Sequence, residues 1–308
     1  MSPTPATLEK LRGSIGLWTM TLDAVSPRES EQLAHEIEEL GYPALWIPEA
    51  WGRESFTNAG LLLSSTSSLV VATGIANIWA RDAVSAANGA KTLSAAYGDR
   101  FVLGLGVSHE PLVTRLRGHH YETPYRVMKE FLLAMDNAPM LAEEGSARFP
   151  RVIAALGPKM LELAAELTDG AHPYLVTPAH TYQARSILGE KFLGVEQAVV
   201  LGQSRDEFLR RAHQHLEHYT GLENYRNSWR RQGFSDDDIV RGGSERLCDA
   251  LVLHGDEAVI LAGVDEHFDA GADHVCLQVL GSEPSEVPRD EWCRLAPAVA
   301  AATQHRQS

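Results

Sequence analysis

The chain has 308 residues, 44% of them hydrophobic and 22% charged, a balance that fits a water-soluble fold with a large core. Its formal net charge of −14 weighs against nucleic acid or an anionic membrane as partner. The three cysteines, Cys248, Cys276 and Cys293, are odd in number and lack metal-type spacing, so a reducing cytoplasm is expected; the first dozen residues lack an apolar targeting run, and no stretch approaches a membrane span.

Apolar runs and helical periodicities alternate along the chain. Ser14–Trp18 reads as a strand, residues 28–40 as an amphipathic helix stopped by Gly41, 44–48 as a second strand and 56–65 as a second helix. A third strand over 69–72 is interrupted at Thr73-Gly74 and followed by Asn77, Trp79, Arg81 and Asp82 before helix Ala83–Tyr97. Glycine inside a strand pattern marks a bulge or a close backbone approach, so this stretch either delivers a site or merely re-aims the chain. Phe101–Gly106 is the fourth strand, with helices over 111–117 and 124–135 and an irregular link over 137–150. Further strands are expected at 152–156, 171–176 and 193–201, with helices at 159–167, 180–188 and 206–219. Residues 221–243, polar but carrying Tyr225, Trp229 and Phe234, read as a helical insertion that could form a lid or pack on the rest. A helix over 257–270, an eighth strand over 273–279 and a helix over 288–303 complete the pattern.

Eight strands alternating with helices predict a (β/α)8 TIM barrel with a helical insertion after strand 7, as one domain over residues 1–308. An open doubly wound sheet would place a glycine-rich phosphate turn after the first strand, and Trp18-Thr19-Met20-Thr21 is not one. Barrel sites sit at the C-terminal strand ends, which here carry Trp18, Glu49, Asn77, His109, Gly157, Tyr174 with Thr177, Gln203 and Gln278. With one carboxylate, one imidazole, amides and aromatic surface, and neither metal-ligand spacing nor a nucleophile elbow, the inventory suits a flat aromatic ligand.

Four motifs in order carry a resemblance: Leu45-Trp46-Ile47-Pro48-Glu49, Gly74-Ile75-Ala76-Asn77 with Arg81, the run from Arg100 to Gly106, and Ala155-Leu156-Gly157-Pro158. Together they resemble the luciferase-like monooxygenase superfamily, in particular its branch using the deazaflavin coenzyme F420. The resemblance implies a cofactor ring across the barrel mouth, backed by a cis peptide matching Gly74–Ile75. It assigns cofactor contacts to Gly74, Ile75, Ala76, Asn77, Gly106, Val107, Ser108, Leu156, Gly157, Pro158 and Thr177, with Lys159 as a charge near the phosphate. Gly104 and Gly106 would let a strand approach the ring, or would simply fit barrel packing. Trp18, Trp51, Trp79 and Tyr174 are expected to contact substrate.

Two departures stand out. F420-dependent sugar-phosphate and alcohol dehydrogenases of this family follow the second-strand acid with a catalytic histidine, where this chain has Glu49-Ala50. Their fourth strand ends in glycine and a glutamate donor, where this chain has Ser108-His109. His109 is therefore the leading acid/base candidate, the alternative being a histidine that caps the following helix. Glu49 is a second acid/base candidate or an orienting group. Arg81 is expected to clamp a carboxylate such as Asp82 or Glu49. The implied function is hydride transfer between F420 and a small organic substrate. An FMN-dependent two-component monooxygenase and a non-catalytic cofactor-binding barrel are the alternatives, and a homodimer stays open.

Overall fold

The computed structural model describes residues 5–98, 100–142 and 148–307. Strands β1 (Ser14–Trp18), β2 (Ala44–Ile47), β3 (Val70–Thr73), β4 (Ala76–Asn77), β5 (Phe101–Gly106), β6 (Arg151–Ile153), β7 (Gly170–Ala171), β8 (Phe192–Leu201), β9 (Val252–Gly255) and β10 (His274–Val279) form one parallel sheet. Strand β10 pairs with both β1 and β8, which closes eight strands into the expected barrel. Strand β4 resumes β3 beyond a bulge and pairs with β5.

Both faces of these strands are buried, which explains their continuous apolar runs. One set of alternate residues, including Ile15, Leu17, Leu45, Ile47, Val71, Leu103, Val275 and Leu277, packs outward against the helices. The other set, including Trp18, Ala44, Trp46, Val70, Ala72, Val102, Val152, Phe192 and Cys276, fills the interior. Leu8 and Leu11 of the N-terminal helix Ala6–Leu11 join that interior cluster. Trp46 Nε1 donates to His274 Nε2 at 3.1 Å, so His274 Nδ1 carries the proton and bonds Ser14 Oγ at 2.9 Å. Ser14 Oγ in turn donates to the Leu11 carbonyl at 2.7 Å.

The structure revises the expected elements in three places. The sixth barrel strand covers only Gly170–Ala171, because the chain turns away through Leu175, whose φ is 53° and whose N–H is held by Glu196 Oε2 at 3.0 Å. The expected helix over 111–117 is a short wide turn, Leu112–Leu116. Beyond β8 the insertion is larger than expected. The helices Arg205–Tyr219 and Glu223–Arg231 are followed by a third, Glu245–Leu251, and by β9, which extends the sheet beside the end of β8. Strand β9 offers only Val252 and Leu253 before His254-Gly255, too short an apolar run to read as a strand. Trp229 and Phe234 pack into their own buried cluster with Phe208, Leu216 and Leu247. Part of the expected link, residues 143–147, lies outside the described residues.

Burial makes stability depend on pH. His172, His267 and His274 are at most 1% exposed, and desolvation lowers them from 6.5 to about 4, about 4 and about 3 respectively. Below pH 6.5 the unfolded chain gains protons that these native imidazoles exclude, so their contribution is lost as pH falls toward 4. Glu196 works the other way, since burial raises it from 4.5 to about 8 and the native acid keeps its proton. His109 and His215 are lowered to about 4 as well, and five imidazoles against one carboxyl predict a thermal midpoint that peaks near pH 7. Stability should fall by about 4–5 kcal/mol per unit around pH 5.5 and more shallowly above 7. Calorimetry between pH 4.5 and 8.5 checks this; a flat midpoint on the acid side would contradict it.

Candidate functional site

The bulge between β3 and β4 is the frame of the site. Gly74–Ile75 is a cis peptide. Gly74 N–H donates to the Ile47 carbonyl at 2.7 Å, and the Ile75 carbonyl accepts from Glu49 N–H at 3.1 Å. The Glu49 carboxylate accepts from Asn77 N–H at 2.7 Å, from Ser55 N–H at 3.4 Å and from Arg81 Nη1 at 2.9 Å, with Arg81 Nη2 on its other oxygen. Arg81 therefore clamps Glu49, with Glu54 as a further partner, while Asp82 caps the helix Ala83–Tyr97 through Ser85 N–H. Both Glu49 oxygens are engaged, which suits a strut better than a free proton carrier.

No side chain fits at Gly74. A Cβ there would stand 2.7 Å from Trp18 Nε1 and 3.0 Å from His172 Nε2. The indole uses the gap, donating from Nε1 to the Gly74 carbonyl at 2.9 Å. At Gly106 a Cβ would stand 2.5 Å from the Ile75 side chain, so this glycine makes room for a wall of the site. Gly104 has the packing role, because a Cβ there would strike the Thr73 carbonyl at 2.0 Å.

Above the bulge lies a cavity of about 420 Å³. Trp18, Gly74, Ile75, Gly106, Ala154, His172 and Tyr174 line it from the barrel, and Tyr219, Asn224, Tyr225 and Arg231 from the insertion. His172 stacks on Trp46 with centroids 4.2 Å apart, and its Nδ1 donates to the Gly194 carbonyl at 2.9 Å. Its Nε2 is therefore a bare lone pair, buried without a partner among the described residues. His109 follows Ser108, a residue with φ of 55°, at the rim of the cavity. Its carbonyl meets the N–H groups of Leu112 and Val113 at 3.0 Å each. The imidazole instead has the Asn224 side chain as a neighbour and faces Tyr225 and His218, with centroids 5.7 and 6.4 Å away. Burial, then the neighbouring His218, lowers it to about 4, leaving it neutral at pH 7.

Of the expected cofactor contacts, Gly74, Ile75, Gly106, Val107, Ser108, Leu156 and Gly157 reach the cavity. Ala76, Asn77, Pro158 and Thr177 do not line it. Ala76 is core, and Asn77 turns its Oδ1 to Trp79 N–H at 3.0 Å. Pro158 opens the helix Pro158–Leu167, while Thr177 caps the helix Pro178–Leu188 and donates to Gln232 Oε1 at 2.7 Å. Trp18, Trp51 and Tyr174 line the cavity. Trp79 stands outside it, its Nε1 held by the Val107 carbonyl at 3.0 Å. Sequence reasoning missed His172 and Arg231. Lys159 does not line the cavity, whereas Arg231 does, donating from Nη2 to the Leu156 carbonyl at 3.0 Å. Among the described residues Arg231 forms no ion pair, which leaves a cation beside the start of the helix Pro158–Leu167.

The luciferase-like monooxygenase family model matches residues 13–274, and the chain belongs to that family. A Mycobacterium tuberculosis protein with the provisional name coenzyme F420-dependent oxidoreductase is 27% identical over 213 residues, 59% of this chain and 60% of the relative. A 5,10-methylenetetrahydromethanopterin reductase of Methanolobus tindarius is 29% identical over 160 residues, 46% of this chain and 48% of the relative. The matched stretch thus spans between 48% and 60% of the length of these curated relatives. Among solved structures, an F420-dependent secondary alcohol dehydrogenase in complex with an F420-acetone adduct superposes with a TM-score of 0.74 at 13% identity, covering 94% of this chain and 98% of that one. The FMN complex of the oxygenating constituent of 3,6-diketocamphane monooxygenase from Pseudomonas putida gives 0.70 at 14% identity, with 94% and 98% coverage. At these identities the two structures establish the fold alone.

The clamp on the bulge is testable by Glu49→Gln. The change keeps the shape, removes the charge that Arg81 grips and turns an acceptor into a donor. Urea unfolding should show a loss of about 1–3 kcal/mol. An unchanged midpoint would mean that the bulge holds its shape without the carboxylate.

Proposed function

We propose that the chain is an oxidoreductase in which the deazaflavin of coenzyme F420 lies across the barrel mouth. The observation that carries this reading is the unpartnered Nε2 of His172 on the cavity floor. A buried acceptor without a donor is costly, and the pyrimidine N–H of a deazaflavin or flavin ring is a donor of the right kind. Trp18 and Ile75 offer apolar surface to the plane of such a ring, and Gly74 lets the Trp18 indole and His172 imidazole approach the bulge. Arg231 and the start of the helix Pro158–Leu167 suit the phosphate that both cofactors carry. The names of the curated relatives favour deazaflavin over flavin.

When bound, the deazaflavin supplies hydride chemistry, and the protein orients the ring, excludes water and manages the proton. We assign the proton to His109. Neutral at pH 7, it takes up a proton more readily than it gives one, which suits a substrate that loses a proton as it is oxidised. Oxidation should therefore persist at acid pH until His109 titrates near 4, and the reverse reaction should speed up as pH falls toward that value. Glu49 is assigned the structural role that its hydrogen bonds describe.

Titrating the apoprotein with both cofactors tests the reading. Deazaflavin should bind at micromolar concentration or below, about −8 kcal/mol or better, and FMN more weakly. Tighter FMN binding with oxygen-consuming turnover would favour the flavin monooxygenase suggested by the diketocamphane enzyme's fold. Arg231→Ala should weaken both cofactors about tenfold, because the phosphate is common to them. Equal affinity in wild type and variant would remove Arg231 from the site. His109→Ala should lower kcat by about 10²–10⁴-fold with cofactor affinity nearly unchanged. Normal turnover would place the proton carrier elsewhere.

A further inference from the structure

A second cavity, of about 200 Å³, lies beside the first. Met20, Trp51, His218 and Tyr219 line both and form the partition between them. Trp51 is 62% exposed, a large indole left uncovered at the junction. The hydrogen bonds beneath this partition run in one direction. Tyr219 hydroxyl donates to Tyr174 hydroxyl at 3.1 Å, and Tyr174 donates to Gln278 Oε1 at 2.6 Å. With its oxygen occupied, Gln278 presents its NH2 group to the side chamber, which it lines, and it does not line the main cavity. The residue is only 6% exposed, and its Nε2 makes no hydrogen bond among the described residues, so this largely buried side chain has a donor without a protein partner. Arg211, 8% exposed, stands in the same wall with Nε on Glu207 at 2.8 Å and Nη1 on the Leu280 carbonyl at 2.9 Å.

We propose that this side chamber is a second binding site, one that takes a neutral carbonyl oxygen such as that of an amide, ester or ketone. The free donor of Gln278 asks for an acceptor, which an ammonium cannot supply; an ammonium would go instead to Glu283 at the edge of the chamber. Glu207 pairs with both Arg210 and Arg211, and with Glu283 close by nothing there favours a carboxylate. Because the two cavities share a wall, the carbonyl belongs on an arm of a substrate whose reacting end lies in the main cavity. That role for the arm rests on the oxidoreductase reading, whereas the chamber's affinity for a carbonyl does not. The substrate class is then an elongated molecule with an acceptor one arm's length from the carbon that gains or loses hydride. Gln278 acts as a specificity residue, and the tyrosine chain couples its anchoring to the main cavity.

The test uses the full chain without cofactor and N,N-dimethylbutanamide, an acceptor-only probe, with butylammonium as its donor-only counterpart. Side-chain amide NMR signals of Gln278 should shift and saturate with the amide and ignore butylammonium. Gln278→Glu keeps an acceptor for Tyr174 and removes both donors, so affinity for the amide should fall tenfold or more. Gln214→Trp, on an exposed position of the chamber rim, should cause a similar loss without touching the interior, and it decides the matter if the first variant fails to fold. Both variants should bind deazaflavin within threefold of wild type. Unchanged amide affinity in the folded variants would overturn the proposal. So would displacement of the probe by deazaflavin, which would place it in the main cavity. A wild type that binds the amide but not deazaflavin would sink the cofactor reading and leave the chamber standing.

Discussion

The barrel mouth depends on the missing side chain at Gly74. Two large groups, the Trp18 indole and the His172 imidazole, converge on the volume that a Cβ would occupy. A methyl group there would break the indole's bond to the Gly74 carbonyl and push the imidazole off the floor. The neighbouring contacts serve the same end. Glu49, which lines the cavity, ties the bulge to β4, Arg81 holds Glu49, and Gly106 leaves space for Ile75. Removing any one of these loosens the surface on which a planar ligand would rest.

The electrostatics of the mouth contrast with the rest of the molecule. The chain carries a net charge of −14, yet the cavity is nearly neutral. Burial keeps His172 and His109 uncharged at pH 7, and Glu49 is neutralised by Arg81. Among the described residues lining the cavity, Arg231 supplies the unbalanced charge. Such a surface offers little to a highly charged substrate in its interior and one attractive point for an anion at its edge. A flat heterocycle with a phosphate on its tail matches that division.

Much of this was readable before the fold was known. The strands of the first half announce themselves through runs such as Leu69-Val70-Val71-Ala72 and Phe101-Val102-Leu103, because strands buried on both faces must be apolar throughout. The bulge was marked by Gly74, and His109 by its place after the fourth barrel strand. The sequence hides His172 for a physical reason. Its strand stops pairing at Ala171, so the residue at the mouth is His172, whereas the apolar pattern carried the expected end on to Tyr174 and beyond. Arg231 comes from a helix 75 positions after the carbonyl it bonds, and nothing local announces such a partner. Gln278 was visible at a strand end, but only the Tyr219–Tyr174 chain shows which way its amide faces. Asn77, Thr177 and Trp79 looked like site residues because they are polar or aromatic near strand ends. Backbone groups claimed each of them instead.

On the function proposed above, the neutral His172 imidazole on the barrel floor receives the N–H edge of the ring. Imidazole ¹⁵N spectra of the histidine-labelled protein, assigned with a His172→Gln variant, test it most directly. Without cofactor, His172 should show a protonated Nδ1 and a free Nε2 at pH 7 and still at pH 5. Saturation with deazaflavin should move the Nε2 resonance toward that of a hydrogen-bonded acceptor while Nδ1 keeps its proton. Bound deazaflavin with an unmoved Nε2 resonance, or an imidazolium at pH 5, would contradict the account.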